Sequence, residues 1–296
     1  MKTIKILFLF ALTVIGLSSC SSKEDKPLKI VANSWIGYSP LFYAKASGWL
    51  EPLNIELSTV VSLGESLHIY KSSNKDAFTG TQYEFSQAYQ KDNTLMPIMM
   101  FDRSNGGDMV MGNQSVESLK SATSPINVYL EINSINYVVF KDFIKQNKLE
   151  DKTFNFINKD QLKIVSAIAE APNHEPKIAV TYIPYNYSLE KHGFTTLAST
   201  RDGLNLLVLD ALYTNKESFS LHQEQFKRLK ILIDRAIQDL QNDPKLFYDK
   251  VNPYLENSSF EEFQSGLQDI VWINQSLSPQ LIERLNQAQF PIRDLL

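Results

Sequence analysis

Hydrophobic and polar residues follow two patterns along this chain, one typical of strands and one typical of helices. Short apolar runs, such as residues 96–101, indicate buried strands. Between them lie segments with apolar residues every three or four positions, which indicate helices. The predicted strands cover residues 28–32, 55–61, 77–79, 96–101, 109–112, 126–132, 154–157, 178–182 and 204–213. The predicted helices cover residues 40–48, 64–70, 83–90, 135–146, 160–169, 185–192, 226–242, 244–254, 260–270 and 279–288. The alternation predicts an α/β protein with two mainly parallel sheets flanked by helices, followed by a helical block.

The N-terminus has the pattern of a secretory signal. Lys2 and Lys5 precede an apolar run over residues 6–17, and small residues follow it. The run is shorter than the roughly 20 apolar residues that span a bilayer. We therefore expect residues 1–19 to be a signal peptide that is removed.

The end of this signal resembles the lipobox of bacterial lipoproteins, in which the cysteine after the cut is acylated. The matching residues are Leu17-Ser18-Ser19-Cys20, and Cys20 is the single cysteine of the chain. The resemblance implies a lipid on Cys20, a tether over residues 20–27, and anchoring at the periplasmic face of a bacterial membrane, or at the outer face of the cell membrane in a host with one membrane. The alternative is a plain secretory signal with a chance cysteine.

Composition narrows the function classes. The 296 residues carry a formal charge of −4 with 43% hydrophobic and 21% charged residues, as in ordinary globular proteins. No strongly basic stripe is present, so we expect no nucleic-acid partner. The four histidines lack metal-ligand spacing, and no phosphate-binding or nucleophile-elbow motif occurs. We therefore predict no enzyme activity, no catalytic residue, no metal and no cofactor.

Polar, glycine-containing loops follow three of the predicted strands, at residues 33–39, 79–82 and 102–108. Ligands of open α/β sheets bind at the carboxyl ends of the strands. The loops therefore predict a ligand cleft.

These loops, in this order, resemble the periplasmic substrate-binding proteins of ABC importers, in the branch that includes nitrate, sulfonate, taurine and thiamine-pyrimidine binders. The matching segments are Trp-Ile-Gly-Tyr-Ser-Pro at 35–40, Asp-Arg-Ser-Asn-Gly-Gly-Asp at 102–108 and Val-Thr-Tyr-Ile-Pro at 180–184. The resemblance implies a two-lobed type II binding fold that delivers a small-molecule ligand to an ABC permease without chemistry. On that template lobe 1 comprises residues 28–113 and 202–296, and lobe 2 comprises residues 114–201. We expect a monomer.

Aromatic and hydroxyl side chains supply the first candidates for ligand binding. Trp35 and Tyr38 lie on a predicted loop, where we expect them to be exposed and to stack on a ligand. The alternative is that they cover the core. Gly37 between them supplies a tight turn with close backbone approach. Thr79 and Thr81 offer donors to an anionic group, or simply cap a helix.

Acidic side chains supply the second group. Asp102 and Asp108, with Ser104 between them, have two interpretations. We expect them either to bind an amine at the mouth of the cleft or to accept hydrogen bonds from the N–H groups of a glycine-rich turn. The further candidates at the ends of later strands are Glu131 and Tyr182. Asp210 lies within the apolar run 204–212, where it has a pocket or hinge role or, as the alternative, is a satisfied structural carboxylate. If Asp102, Glu131 and Asp210 converge, the pocket is acidic and prefers a cation or an amine over nitrate or sulfonate.

Two other function classes remain open at this point. A sensor or scaffolding lipoprotein keeps the same fold without transport, and a pyrimidine-synthase-like enzyme needs a reactive histidine cluster that the sequence does not display.

Overall fold

The structure is a computed structural model that describes residues 26–171, 175–256, 258–293 and 295–296. The predicted signal peptide, Cys20 and most of the predicted tether lie outside the described residues. None of the described helices is both long and apolar enough to pass through a bilayer.

Two separate sheets organise the fold, as the strand pattern predicts. The first has the order β11-β4-β10-β3-β1-β2 and the second the order β7-β6-β8-β5-β9. In the first sheet β1 pairs in parallel with β2 and β3, whereas β10 runs antiparallel between β3 and β4. In the second sheet β6 pairs in parallel with β7 and β8, whereas β5 is antiparallel to β8 and β9. The strands are β1 Leu28–Asn33, β2 Ile55–Val60, β3 Ala77–Thr81, β4 Leu95–Ser104, β5 Asp108–Gly112, β6 Ile126–Leu130, β7 Phe154–Asn158, β8 Lys177–Tyr182, β9 Thr195–Ser199, β10 Leu209–Asn215 and β11 Ile270–Trp272.

Eleven α-helices of the described part of the chain flank the sheets. They are α1 Ser39–Ala46, α2 Leu63–Ser72, α3 Gln82–Tyr89, α4 Val116–Ser121, α5 Ile135–Asn147, α6 Gln161–Glu170, α7 Tyr185–Glu190, α8 Lys216–Asn242, α9 Pro244–Val251, α10 Phe260–Leu267 and α11 Pro279–Gln287. Short 3₁₀ turns cover Ile36–Tyr38, Glu51–Leu53 and Asn252–Tyr254. Strands β3, β5 and β8 are buried along their whole length, as is typical of strands in a sheet that is covered on both faces.

Local sequence signals explain where many of the helices begin and end. Side chains that accept a hydrogen bond from the first turn cap nine of them, which satisfies N–H groups that have no partner in the helix. These caps are Ser62, Thr81, Ser115, Ser134, Asp160, Asn215, Asp243, Ser259 and Ser278. After α1 the chain turns at Gly48, whose φ of +70° is the left-handed conformation that glycine adopts without strain.

The chain passes from the first sheet to the second and back. It leaves after Ser104 and re-enters at Leu209. We predicted residues 109–112 in the first lobe, with the crossing near Asn113, and this was wrong: β5 pairs with β8 and β9, so it belongs to the second sheet. The apolar run predicts a strand, but only its pairing partners decide which sheet it joins.

Other differences concern element boundaries. The return strand begins at Leu209 rather than at residue 204, and α8 begins at Lys216, ten residues before the predicted start. The segment 260–270, predicted as one helix, ends as helix at Leu267 and then forms the edge strand β11. Strand β3 continues through Gly80 to Thr81 because both residues pair with β10. The short elements α4 and β9 were not predicted.

Candidate functional site

A row of polar residues crosses the first sheet near the end that faces the second sheet. Asp210 on β10 is the direct partner of Thr81 on β3 and of Asp102 on β4, and Asp102 is in turn the partner of Trp272 on β11. Both carboxylates are buried. The antiparallel insertion of β10 between β3 and β4 therefore brings two acidic side chains together on adjacent strands.

Asp102 is held by Trp35. The indole N–H lies 3.3 and 3.4 Å from the two carboxylate oxygens and donates to them. Gly37 allows this approach, since a Cβ at that position would lie 1.8 Å from Oδ2 of Asp102 and 2.4 Å from Nε1 of Trp35. Burial and the nearby Asp108 raise the pKa of Asp102, and the bond from Trp35 opposes the rise.

Asp210 is held by Tyr38, whose hydroxyl donates to Oδ1 at 2.5 Å. The second oxygen, Oδ2, is buried and has no hydrogen-bond partner among the described residues. Burial, together with Asp102 and Asp108, raises the pKa of Asp210 well above its usual value. Asp210 is therefore a half-satisfied carboxylate in an acidic environment.

Glu84 joins the helix that follows β3 to the facing sheet. Its side chain accepts hydrogen bonds from the backbone N–H of Thr81, at 2.9 Å, and from the Thr81 hydroxyl, which closes a capping box at the start of α3. Its other oxygen accepts from the N–H of Ile135, at 3.0 Å, in the first turn of α5. Burial raises the pKa of Glu84 although these bonds oppose the shift.

The second sheet contributes Asp108 at the start of β5 and Glu131 just after β6. Burial raises the pKa of Asp108 to about 7 and that of Glu131 to about 8, and Glu84 adds to both shifts. Glu131 is only 6% exposed. The Gly64 N–H and the side chains of Gln161 and Ser62 oppose the rise of its pKa. Even so, neither carboxylate oxygen forms a hydrogen bond of ordinary geometry with a described residue.

Aromatic residues connect the two acidic surfaces. The rings of Trp35 and Tyr182 meet edge to face with centroids 5.9 Å apart, and Tyr182 contacts Tyr185 in the same way at 5.4 Å. The Tyr185 hydroxyl lies 2.8 Å from the Ser34 hydroxyl, across the two halves of the fold. The three rings therefore form a continuous wall between the sheets.

The ten residues predicted to bind ligand are all buried. They are Trp35, Tyr38, Thr79, Thr81, Asp102, Ser104, Asp108, Glu131, Tyr182 and Asp210. Trp35 and Tyr38 were expected as exposed loop aromatics, which was wrong: Trp35 is 3% exposed, and Tyr38 packs edge to face on Phe101 with centroids 5.4 Å apart. The expected close backbone approach at Gly37 is confirmed.

Two of the ten have local structural partners. Thr81 caps α3, which is the second of the two interpretations drawn from the sequence. The Ser104 hydroxyl lies 2.7 Å from the Thr200 hydroxyl and accepts from the N–H of Asp108 at 2.9 Å. Ser104 therefore joins the two chain crossings. In contrast, the buried Thr79 hydroxyl has no partner in the described part of the chain.

Sequence reasoning missed Asn33 and Glu84 as members of this group. Asn33 ends β1 and is fully buried, and neither polar atom of its side-chain amide forms a hydrogen bond of ordinary geometry with a described residue. It opposes the rise in the pKa of Tyr182, which places it beside that side chain. The position of Asn33 at the end of a strand is a signal that could have identified it as a candidate for ligand binding. The spacing of Thr81 and Glu84 indicates only a helix cap.

Among the described residues, no group of three or more His, Cys, Asp or Glu side chains is arranged to hold a metal ion. A cavity of about 620 Å³ lies outside the acidic group, against Phe85, Leu207 and Phe290. Its lining is largely apolar. None of the buried acidic residues described above is among its lining residues.

No protein-family model matches the sequence, and no curated protein sequence matches it. Solved structures do match. The ligand-binding component of an ABC-type import system from Staphylococcus aureus, with zinc bound, is 14% identical, with a TM-score of 0.67 over 89% of this chain and 92% of that one.

Two further similar structures are named for anions. The alkanesulfonate-binding protein SsuA from Xanthomonas axonopodis pv. citri, bound to MOPS, is 13% identical, with a TM-score of 0.68 over 90% of this chain and 92% of that one. The periplasmic nitrate-binding protein NrtA from Synechocystis PCC 6803 is 12% identical, with a TM-score of 0.61 over 81% of this chain and 69% of that one. The predicted fold class is thus confirmed: the chain has the two-sheet α/β fold of the periplasmic binding proteins of ABC-type import systems.

Proposed function

We propose that this protein is a solute-binding protein of an ABC importer, anchored by an N-terminal lipid, that captures a small organic molecule between two lobes and releases it unaltered to a permease. The observation that carries the proposal is a buried polar surface on the two sheets, where Asn33, Thr79, Glu131 and Asp210 have atoms that form no hydrogen bond of ordinary geometry with a described residue. Leaving a buried polar group unpaired costs roughly 1–3 kcal/mol. A ligand between the sheets supplies the missing partners.

In this proposal the lobes follow the sheets. The first lobe comprises residues 28–104 and 209–296, and the second comprises residues 108–199. The two crossing segments are bonded to each other: Arg201 Nε donates to the carbonyl of Asn105 at 3.0 Å, and the N–H of Gly106 donates to the Thr200 hydroxyl at 2.8 Å. Two adjacent crossings are suited to act as one hinge.

Contacts away from these crossings then hold the lobes together. Glu84 accepts from Ile135, Ser34 lies against Tyr185, and the Tyr187 hydroxyl donates to the carbonyl of Glu262 at 2.8 Å. Each pair joins residues from the two proposed lobes. A ligand that binds the closed form more tightly than the open form shifts the protein towards these contacts.

The test is a thermal-shift screen of the full chain in mild detergent against amines, sulfonates, pyrimidines, nitrate and amino acids. A true ligand raises the unfolding midpoint, because a hundredfold excess over its dissociation constant stabilises the protein by about 2.7 kcal/mol. Small-angle scattering should show compaction with the same compound, and mass spectrometry should recover that compound unchanged. If none of the classes binds, the proposed binding function is wrong.

Import and anchoring need separate experiments. Cells that lack the protein should lose uptake of the labelled ligand, whereas a purely sensory protein leaves uptake intact. Cys20→Ser should abolish lipid-dependent processing and membrane attachment. Unchanged processing in that variant would contradict the lipid anchor without affecting the binding proposal.

A further inference from the structure

We propose that the ligand is an organic amine, bound in its protonated form, whose N–H groups donate to Asp210 on the first sheet and to Glu131 at the end of a strand of the second. This inference rests on the proposed binding function and specifies the chemical class of its ligand.

The charge of the site is the first argument. Five acidic side chains from the two proposed lobes are buried: Glu84, Asp102, Asp108, Glu131 and Asp210. None of the ion pairs in the described part of the chain includes any of them. Ionised carboxylates that are buried without a cationic partner are costly, and none of the described ion pairs supplies such a partner here.

The unpartnered atoms are the second argument, and they are independent of the charge. One oxygen of Asp210 is buried without a partner among the described residues, and neither oxygen of Glu131 forms a hydrogen bond of ordinary geometry, although the Gly64 N–H and the side chains of Gln161 and Ser62 lie nearby. Once ionised, a carboxylate only accepts hydrogen bonds, so in that form these three atoms need donors. An ammonium group carries up to three N–H donors together with the positive charge that the site lacks.

A metal ion fits the site less well. Metal ions need several ligands at short, fixed distances, and no group of three or more potential ligands in the described residues meets this condition. The zinc bound in the similar Staphylococcus aureus protein therefore has no counterpart in the described part of this chain.

An anion also fits poorly. One similar protein is an alkanesulfonate-binding protein, and a sulfonate carries a negative charge. Here such a group would meet the buried Asp102, Asp108 and Asp210, and no Lys or Arg forms an ion pair with any of these three in the described part of the chain. The aromatic wall of Trp35, Tyr182 and Tyr185 favours a positively charged ligand instead, because cations are attracted to the faces of Trp and Tyr rings.

The arrangement also explains how a cation would favour closure. Asp210 belongs to the first sheet, whereas Glu131 follows a strand of the second. Without a cation, closing the lobes buries acidic groups from both sides and leaves them uncompensated. With an amine between them, the same closure forms charge-assisted hydrogen bonds from both lobes.

The experiment is titration calorimetry on the full chain in mild detergent with two matched sets. One set is n-butylamine, 1,4-diaminobutane, n-butanol and butanesulfonate; the other is benzylamine, benzyl alcohol and benzenesulfonate. Zinc chloride is added as a separate probe. We expect binding only from amines, weakened at least about tenfold by Asp210→Asn and by Glu131→Gln. Glu117→Gln, at an exposed helical carboxylate outside the site, is the matched control and should bind normally.

A second readout separates this role from a structural one. Because the carboxylates must be ionised to bind a cation, the affinity for amines should fall as the pH is lowered. Binding should also release protons, which is measured by repeating the calorimetry in buffers that differ in ionisation enthalpy. Preferential binding of a sulfonate, an alcohol or zinc overturns the inference, and so does the absence of binding by every amine. A non-cationic hit in the wider thermal-shift screen would overturn the amine while leaving the binding function intact.

Discussion

Asp102 and Asp210 lie directly opposite each other on the antiparallel strands β4 and β10, and both are buried. Like-charged partners across a sheet repel each other, and Asp102 contributes to the raised pKa of Asp210. Trp35 donates to one member of the pair and Tyr38 to the other. Because both residues lie on the first sheet, their repulsion destabilises the folded protein whenever both are ionised.

The stability of the unliganded protein should fall as the pH rises from about 5 to about 8. Asp108 and Glu131 have pKa values raised to about 7 and about 8 in the folded protein. In this interval the folded state therefore holds protons that the unfolded chain has released, and stability decreases with pH. Urea unfolding measured across the interval checks this.

Glu131→Gln should make that pH dependence weaker, because the amide does not titrate and removes one of the charges near Glu84. A wild-type stability that rises over the interval, or a variant as steep as the wild type, would contradict the assignment.

Tyr38→Phe should destabilise the protein by about 1–3 kcal/mol near neutral pH. The change removes the one hydrogen bond that the structure gives to the Asp210 carboxylate and leaves that group buried without a partner. Tyr213→Phe is the matched control. Its hydroxyl is buried with no partner among the described residues, so its removal should be neutral or stabilising. Equal losses in urea unfolding of the two variants would argue against a role for the Tyr38–Asp210 bond.

Gly37→Ala should cost about 3 kcal/mol or more, or prevent folding. The added Cβ would lie 1.8 Å from the buried Asp102 carboxylate, which has little room to move. The control is Gly64→Ala, where the nearest atom is 3.8 Å from the added Cβ and the residue lies in helix α2. Alanine there should be neutral, or stabilising by up to about 1 kcal/mol. Thermal unfolding distinguishes the two variants. If Gly37→Ala left the stability unchanged, Asp102 would not be held as described.

Glu84→Ala should destabilise the protein by about 2–4 kcal/mol. It breaks the capping box with Thr81 and also leaves the buried N–H of Ile135 without its acceptor. Glu262→Ala is a useful comparison because it removes the same capping box at Ser259, together with an exposed ion pair to Lys191. Such ion pairs contribute at most about 1 kcal/mol.

Loss of stability should therefore be larger for Glu84→Ala than for Glu262→Ala by at least about 1 kcal/mol. Equal values would indicate that the bond between the two halves of the fold contributes nothing. Scattering measurements on Glu84→Ala should also show a larger open fraction.

Local patterns predicted most of the strands and helices, since the period of apolar residues depends only on neighbouring positions. Segments with weak local signals were harder to place. The helix at Val116–Ser121 is short and mostly polar on its surface, and the predicted strand at residues 204–208 lacks the pairing that begins at Leu209. Edge strand β11, which is three residues long, has too few residues to display a period.

The candidate site is predicted residue by residue from strand ends, and its role in ligand binding stays a prediction, while the structure shows that Asp102, Glu131 and Asp210 are buried. The partners of these residues were not predicted. The spacing of Glu84 from Thr81 predicts a helix cap, but it does not predict that the second carboxylate oxygen of Glu84 accepts a hydrogen bond from the N–H of Ile135. Contacts of this kind depend on how distant segments pack, which no local pattern encodes.

The sequence by itself determined the alternation of strands and helices and the acidic character of the strand-end residues, because backbone periodicity and charge are properties of the residues themselves. Only the tertiary structure decided that β5 joins the second sheet and that β10 enters the first between β3 and β4. That insertion sets Asp210 beside Asp102 and Thr81, because hydrogen-bond register between strands far apart in the chain fixes which side chains face each other.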